Sequence, residues 1–415
     1  MVTLKKKDIT MKVFDGLRQI RPDLFPADGS KDDRDWVLAL VKAIYGLKQS
    51  PRQWHEKLAQ VMGELGFKKI ESDSSIFVYL DEKSGTRVIA PAYVDDITIT
   101  GSNSAKIAWV KAELKKRFKL RDLGPVDFFL GIQVLRDRPN RTIQLSQRQA
   151  IVDILHKFNM QDCAPVATPL DPGVKLSAAD APTSKSAQLL MRDIPYREAV
   201  GSLMYLAIGT RPDISYAVGV LSRFSSNPGM AHWKAVKHLM RYLKGTMDLK
   251  LTYAPDGSKT RFSTFSDADF AGEHDSKRST SGYVVKMGTG AVSWASRLQT
   301  IATLSTTEAE YVSAVSAGQE MVWLRNLLSE FGYQFSGAST LFIDNQSAIS
   351  VANNPEHHGR MKHLDLRFYW LRDMVELGSI RVKHLRTEDM PADLLTKPLG
   401  RLKVNNLRHM LGLQQ

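Results

Sequence analysis

Tyr93-Val94-Asp95-Asp96 places two adjacent carboxylates between two apolar, strand-like runs. Ile89-Ala90-Pro91-Ala92 leads in, and Ile97-Thr98-Ile99-Thr100 leads out ahead of Gly101. Aspartate is depleted from strand interiors, where its short polar side chain packs poorly. Held at a turn between strands, a carboxylate pair suits Mg2+, which takes hard oxygen ligands. The plainer reading is an acidic hairpin tip, and the pair alone does not choose between them. Adjacent strand residues point to opposite faces, so Asp95 and Asp96 need not both touch one ion.

Upstream lies Leu40-Val41-Lys42-Ala43-Ile44-Tyr45-Gly46-Leu47-Lys48-Gln49-Ser50-Pro51-Arg52-Gln53-Trp54. Downstream lies Arg121-Asp122-Leu123-Gly124-Pro125-Val126-Asp127-Phe128-Phe129-Leu130-Gly131-Ile132. In this order the three segments resemble the reverse transcriptase of copia-type LTR retrotransposons, and the resemblance continues to about Leu399. It implies a polymerase palm in which Asp95 and Asp96 bind Mg2+, with Asp95 favoured as the direct ligand. Lys48, Gln49 and Arg52 would then border the incoming dNTP and the primer-template; a polar turn before a helix is their plainer reading. Lys115, Lys116, Arg117 and Lys119 near a helix end read as a solvated face favoured by the helix dipole.

Polymerases of this type need a third carboxylate from another strand. Leu4 to Val13 resembles the stretch that follows that position in the family, so the expected aspartate falls before Met1. Asp8 is the nearby acid and lies in the wrong word, and Thr10 stands where the family usually has tyrosine. Two carboxylates on one turn do not build a two-metal clamp. Efficient RNA-directed DNA polymerisation is therefore not expected of the isolated chain.

A second set of acids lies in the last third. Asp267 ends the run Phe262 to Ser266, Glu310 sits early in a long helix from about Thr307, Asp344 follows Leu341-Phe342-Ile343, and Asp393 opens a helix after Pro391. His384 ends the strand-like Ile380 to Lys383. Metal-assisted phosphodiester hydrolysis needs carboxylates converging from several elements, and a nearby histidine can move protons. The order Asp, Glu, Asp, His, Asp resembles the RNase H fold. The words Phe265-Ser266-Asp267-Ala268-Asp269-Phe270-Ala271-Gly272, Ser305-Thr306-Thr307-Glu308-Ala309-Glu310-Tyr311 and Ala392-Asp393-Leu394-Leu395-Thr396-Lys397 resemble its copia-type branch. By that resemblance Asp267, Glu310, Asp344 and Asp393 hold two Mg2+ ions (Mn2+ as an alternative), with His384 assisting, and the substrate is an RNA-DNA hybrid.

Each of these residues also has a simpler reading. Asp344 would cap a helix starting near Gln346, and Asp393 would be a first-turn acid favoured by the dipole. Glu308 and Glu310 are two apart on a helix and face different ways; apolar residues follow both, so periodicity does not choose, and the resemblance favours Glu310. Asp267 and Asp269 share a strand face, and Asp267 is preferred because it directly follows the alternating run. Glu356, His357, His358 and His363 suggest a metal site, but Met361 to Arg367 matches a copia-type word and no separate zinc site is expected.

Composition agrees with a nucleic-acid partner. The 415 residues carry 57 Lys and Arg against 44 Asp and Glu, a net charge of +13 that suits a polyanion. Cys163 is the single cysteine, which excludes an intrachain disulfide and a zinc ribbon and fits a reducing, intracellular setting, cytoplasmic or nuclear. No apolar run approaches the roughly 20 residues that cross a bilayer, and the basic N-terminus lacks the apolar core of a secretory signal.

The expected fold class is α/β (α+β) in several blocks. Residues 1–168 would form a partial polymerase palm and thumb, 169–260 a linker and helical connection, 261–399 an RNase H-like mixed sheet with helices, and 400–415 a C-terminal tail. Pro169 to Gln188, rich in Pro, Ala, Ser and Asp, reads as the linker proper. The alternative function is a nucleic-acid-binding element product without catalysis.

Overall fold

Alternating and helical periodicities both find their partners in the computed structural model, which describes residues 10–12, 17–21, 23, 37–40, 43–44, 46–257, 262–353 and 367–415. The chain divides into two compact units, 1–124 with 326–334, and 125–325 with 335–415.

In the first unit, β1 (Thr10–Lys12) pairs antiparallel with β2 (Val37–Ala39), and α1 (Leu17–Ile20) lies between them in sequence. Helix α2 (Ser50–Glu64) starts with Pro51 in its first turn, where a missing N–H costs nothing. Ser50 lies inside the helix, its hydroxyl donating to the Ile44 carbonyl at 2.6 Å. The helix stops before Gly66, whose φ of +85° suits a residue without Cβ. Strands β3 (Lys68–Lys69), β4 (Ile76–Asp81), β5 (Thr86–Tyr93) and β6 (Asp96–Ile97) form an antiparallel sheet, and β7 (Thr100–Gly101) also pairs with β5. Asn103 caps α3 (Ser104–Arg117) by accepting from the Lys106 N–H. Leu58 and Met62 of α2 and Val110 and Leu114 of α3 are buried with Phe77, Val88 and Ala90 of the sheet. Each such side chain contributes roughly 1.5–3 kcal/mol by leaving water.

The second unit begins with β8 (Phe128–Phe129), β9 (Ile132–Asp137) and β10 (Thr142–Ser146), followed by α4 (Arg148–Lys157), α5 (Lys185–Arg192), α6 (Tyr196–Gly209), α7 (Ser215–Ser222), α8 (Met230–Gly245) and β11 (Lys250–Tyr253). A second sheet comes from β12 (Ser263–Asp269), β13 (Thr280–Met287), β14 (Gly290–Leu298), β15 (Ser339–Ile343) and β16 (Ile380–His384). Helix α9 (Thr306–Glu330) precedes β15, α10 (Gln346–Asn353) and α11 (Arg367–Glu376) lie between β15 and β16, and α12 (Arg401–Met410) and β17 (Leu413–Gln414) close the chain. The order β14-β13-β12-β15-β16 is mixed: β12 to β14 run antiparallel, whereas β12, β15 and β16 are mutually parallel.

The sequence boundaries differ from the physical ones. Residues 125–257 do not separate from the mixed sheet; Leu155, Leu203, Leu239 and Leu251 share one core with Val284, Leu395 and Val404. The stretch read as a linker buries Leu170 and Leu176 and contains the start of α5. The C-terminal residues are structural rather than a free tail, because β17 completes the antiparallel sheet β17-β11-β10-β9-β8 and α12 buries Val404 and Leu407. Local composition conceals all three, since each depends on a partner more than a hundred residues away in sequence or on sparse apolar residues in a polar stretch.

A buried ion pair anchors the helical layer. The Arg211 guanidinium donates through Nε and Nη2 to Asp213 at 2.9 and 2.8 Å, and the Tyr242 hydroxyl donates to the same carboxylate at 2.6 Å. Arg211 also donates to Thr246. Burial alone would raise the Asp213 carboxyl, but the guanidinium beside it and the hydrogen bonds hold it below its ordinary range.

Candidate active site

The register of β12 with β15 builds the core of the site. Phe265 pairs with Phe342, so Asp267, inside β12, and Asp344, just past the end of β15, lie side by side two residues further on. Glu310 joins them from the first turns of α9. Carboxylate oxygens of Asp267, Glu310 and Asp344 all lie within 4.8 Å of one another, the one such group of three His, Cys, Asp or Glu among the described residues. Asp267 and Glu310 are buried and Asp344 is half-buried.

Small side chains permit this approach. Ser313, one turn along α9, accepts from Ser266 Oγ at 2.9 Å and donates to the Asp267 carbonyl at 2.8 Å. Ser266 and Asp267 point to opposite faces of β12. Gly282 of β13 is the register partner of Asp267 and shares its face. On that face lies the short 3-10 turn Pro391–Leu395. A Cβ at Gly282 would meet Thr396 Cγ2 at 2.6 Å and Leu395 Cβ at 2.8 Å, so only glycine lets this turn sit on the sheet. The turn brings the Thr396 hydroxyl to donate to Asp267 Oδ2. It also brings Lys397, whose Nζ is 3.3 Å from Asp267 Oδ2 and 2.9 Å from Asp393 Oδ1.

The electrostatics follow from burial. Desolvation, with Asp393 and Asp344 adding repulsion and Lys397 opposing, pushes the Asp267 carboxyl up to about 7. Desolvation pushes Glu310 up to about 9, with Asp267 and Asp344 adding repulsion. Glu310 Oε2 is buried and accepts no hydrogen bond. An orphaned buried oxygen among crowded carboxylates is what a divalent cation with hard oxygen ligands would satisfy. The donor set therefore fits Mg2+ or Mn2+.

The two ambiguous pairs separate in three dimensions. Glu308 Oε2 accepts from the Leu304 N–H at 2.7 Å, just ahead of the helix, whereas Glu310 enters the cluster. Asp269 lies two residues beyond Asp267 and stays outside it. Asp344 is not the cap of α10; Asn345 is, accepting from the Ala348 N–H at 2.9 Å. Asp344 instead accepts from the Thr387 hydroxyl at 2.9 Å.

One expected ligand and the expected assisting histidine are placed differently. Asp393 is fully buried, but its carboxylate is held by Lys397 and Lys403, and it is not one of the three clustered acids. Lys403 comes from α12, in the residues read as a tail. His384 is exposed and pairs in register with Ile343, so alternation sends it to the face opposite Asp344. The structure does not bring it into the cluster. Thr387, Thr396, Lys397 and Lys403 were not singled out from the sequence. Thr396 and Lys397 stand in a matched word, whereas nothing local marks Thr387 or Lys403.

In the first unit, Tyr93 pairs with Asp96, which leaves Val94 and Asp95 as the two turn residues between β5 and β6. Val94 has φ of +55°, uncommon for a β-branched residue. The Trp54 indole N–H donates to the Val94 carbonyl and pins the turn. Asp95 and Asp96 are exposed there, and among the described residues no third metal-binding side chain clusters with them. Lys48 is exposed and Gln49 half-buried in the turn before α2, and Arg52 pairs with Glu56 at 3.0 Å. Lys115, Lys116 and Arg117 pair with Asp122, Glu113 and Glu64 on the surface. Asp8, Glu356, His357, His358 and His363 lie outside the described residues.

A mixed sheet with three clustered acids near its strand ends thus lies in one chain with a turn of paired aspartates. The family model for reverse transcriptase (RNA-dependent DNA polymerase) matches residues 19–172. The retrovirus-related Pol polyprotein from transposon TNT 1-94 of Nicotiana tabacum is 41% identical over 393 residues, which is 95% of this chain and 29% of that polyprotein. A Saccharomyces cerevisiae protein named for transposon Ty5-1, YCL074W, is 32% identical over 69% of this chain and 90% of its own length. Among solved structures, the N-terminal RNase H domain of Rv2228c from Mycobacterium tuberculosis, fused to maltose-binding protein, aligns with 35% of this chain and 94% of that chain. Its identity is 14% and its TM-score 0.23, a likeness too loose to support an inference. The chain belongs to the copia-type retrotransposon Pol family, its reverse-transcriptase match lying in residues 19–172. Among the described residues no helix is long and apolar enough to cross a membrane.

Proposed function

We propose that the second unit cleaves the RNA strand of RNA-DNA hybrids with Mg2+ or Mn2+. The observation that carries this reading is the convergence of Asp267, Glu310 and Asp344, with a buried Glu310 oxygen left without a partner. These three would hold the divalent ion, with Asp393 beside them. When bound, such ions activate water and stabilise charge on the phosphodiester oxygens. The chain's own residues orient the ligands. Thr396 holds Asp267 by a hydroxyl hydrogen bond, Thr387 holds Asp344, and Lys397 and Lys403 fix Asp393. The basic balance of the chain favours the polyanionic hybrid.

The reading is tested by incubating purified chain with a labelled hybrid and Mg2+ or Mn2+. Wild type should cut the RNA strand only with the ion present, and Asp267→Asn and Asp344→Asn should each lose activity by about a hundredfold or more. Full activity in both variants would reject the assignment. Hybrid binding with no metal-dependent cleavage in wild type would favour a binding protein instead.

For the first unit, the proposed role of Asp95 and Asp96 is to bind Mg2+ beside primer-template and dNTP, with Lys48, Gln49 and Arg52 at the nucleotide and template. The described residues place two carboxylates there, and two do not make the clamp that phosphoryl transfer between nucleotides requires.

A further inference from the structure

The clustered acids are not equally neutralised. Lys397 Nζ bridges Asp267 and Asp393 at 3.3 and 2.9 Å, and Lys403 engages the other oxygen of Asp393. Among the described residues, no lysine, arginine or histidine pairs with Glu310 or Asp344 within 4.0 Å. Asp393 Oδ1 and Glu310 Oε2 are both buried without a hydrogen bond, but the Lys397 ammonium lies 2.9 Å from the first and no cation side chain among the described residues pairs with the second.

We propose that Lys397 is a tethered cation that fills the Asp267–Asp393 position. The first divalent ion then enters among Asp267, Glu310 and Asp344, and a second enters only by displacing the Lys397 ammonium. This rests on the metal-dependent reading above and adds an order of ion entry to it. Three features support the exchange. Ammonium and divalent cation seek the same carboxylate oxygens, so occupancy is competitive. Lysine carries a compact charge on a flexible four-carbon stem, unlike the planar guanidinium of arginine, and can withdraw without breaking a bidentate fork. The side chain of Lys397 is 28% exposed and has a route to solvent, whereas the carboxylates it bridges are 2% and 0% exposed. Lys403 remains on Asp393 in either state and keeps that buried acid from being left uncompensated.

The test is Mn2+ titration of the full chain, followed by electron paramagnetic resonance and calorimetry, in wild type and Lys397→Met. Wild type should bind one ion well and a second more weakly. The variant should bind the second about tenfold more tightly, an ordinary size for coupling between linked sites. Equal affinities and stoichiometry in the two proteins would overturn the proposal. Should the variant not fold, acetylation of lysines in wild type by an amine-reactive ester, read by mass spectrometry, decides the matter. Reactivity at Lys397 should rise several-fold at saturating Mn2+, and unchanged or reduced reactivity would overturn it. Mn2+ binding that Asp344→Asn abolishes but Lys397→Met leaves alone defeats this inference only. Absence of any Mn2+ binding to wild type defeats the metal-dependent function as well.

Discussion

Gly282→Ala should damage the site without touching any carboxylate. The added methyl would lie 2.6 Å from Thr396 Cγ2, 2.8 Å from Leu395 Cβ and 3.1 Å from the Ala392 carbonyl, where ordinary van der Waals contact begins at 3.4 Å. Relief needs the 391–396 turn to lift from β13 by a large fraction of an ångström. Ala392, Leu395 and Thr396 are all completely buried, so the turn has little room to retreat. Overpacking of this kind costs about 1–3 kcal/mol. For a unit of this size that lowers the melting temperature by several degrees, at roughly 2–4 °C per kcal/mol. The same lift pulls the Thr396 hydroxyl from Asp267 and Lys397 from both acids it bridges. Hybrid cleavage should therefore fall further than the loss of folded protein explains. Thr396→Ser removes the closest contacting carbon but keeps the hydroxyl, so the double variant Gly282→Ala/Thr396→Ser should recover part of the lost stability. The assay is a thermal melt beside a cleavage rate at a temperature where all variants are folded. A Gly282→Ala protein with unchanged melting and unchanged cleavage would refute the reasoning that this glycine seats the turn.

Other outcomes follow from the same geometry. In chelator, burial raises the folded carboxyls of Asp267 to about 7 and Glu310 to about 9, above their ordinary values of 3.8 and 4.5. The folded state then binds more protons, so their contribution to stability is greatest at low pH and declines as pH rises from about 4 to 9. Glu310→Gln should flatten the upper part of that decline, and urea titrations in which wild type and variant keep the same pH slope would contradict it. Arg211→Met should destabilise the second unit by about 3–5 kcal/mol, because it strands the Asp213 carboxylate without its cation, while Arg211→Met/Asp213→Leu should be milder; chemical denaturation measures both, and a harmless single variant would refute the pairing argument. The purified chain should extend a primed RNA template poorly with Mg2+; robust extension abolished by Asp95→Asn would show that the turn at Val94 and Asp95 is a working polymerase centre.

The family was legible from words in the sequence. A carboxylate beside a strand end stands out against local propensity, and Tyr93 to Asp96, Asp267, Glu310, Asp344 and Asp393 could each be marked from their immediate neighbours. Spacing and periodicity alone did not say which acids meet, although the resemblance favoured Glu310 and the alternating run favoured Asp267. Glu308 and Glu310 look alike in one dimension; a backbone N–H at Leu304 claims the first, and the crossing of α9 over β12 delivers the second. Asp344 and Asn345 compete for one helix cap, and only the placed backbone gives it to Asn345. His384 was read from its strand end, but the register with Ile343 turns it away. The tertiary structure alone decided that Lys397 and Lys403 surround Asp393, that Gly282 seats their turn, and that residues 125–257 and 400–415 share the core of the mixed sheet. The physical reason is common to all of these. Local sequence sets propensity and side-chain chemistry over a few residues, whereas charge neutralisation, register and burial depend on groups brought together across a hundred or more.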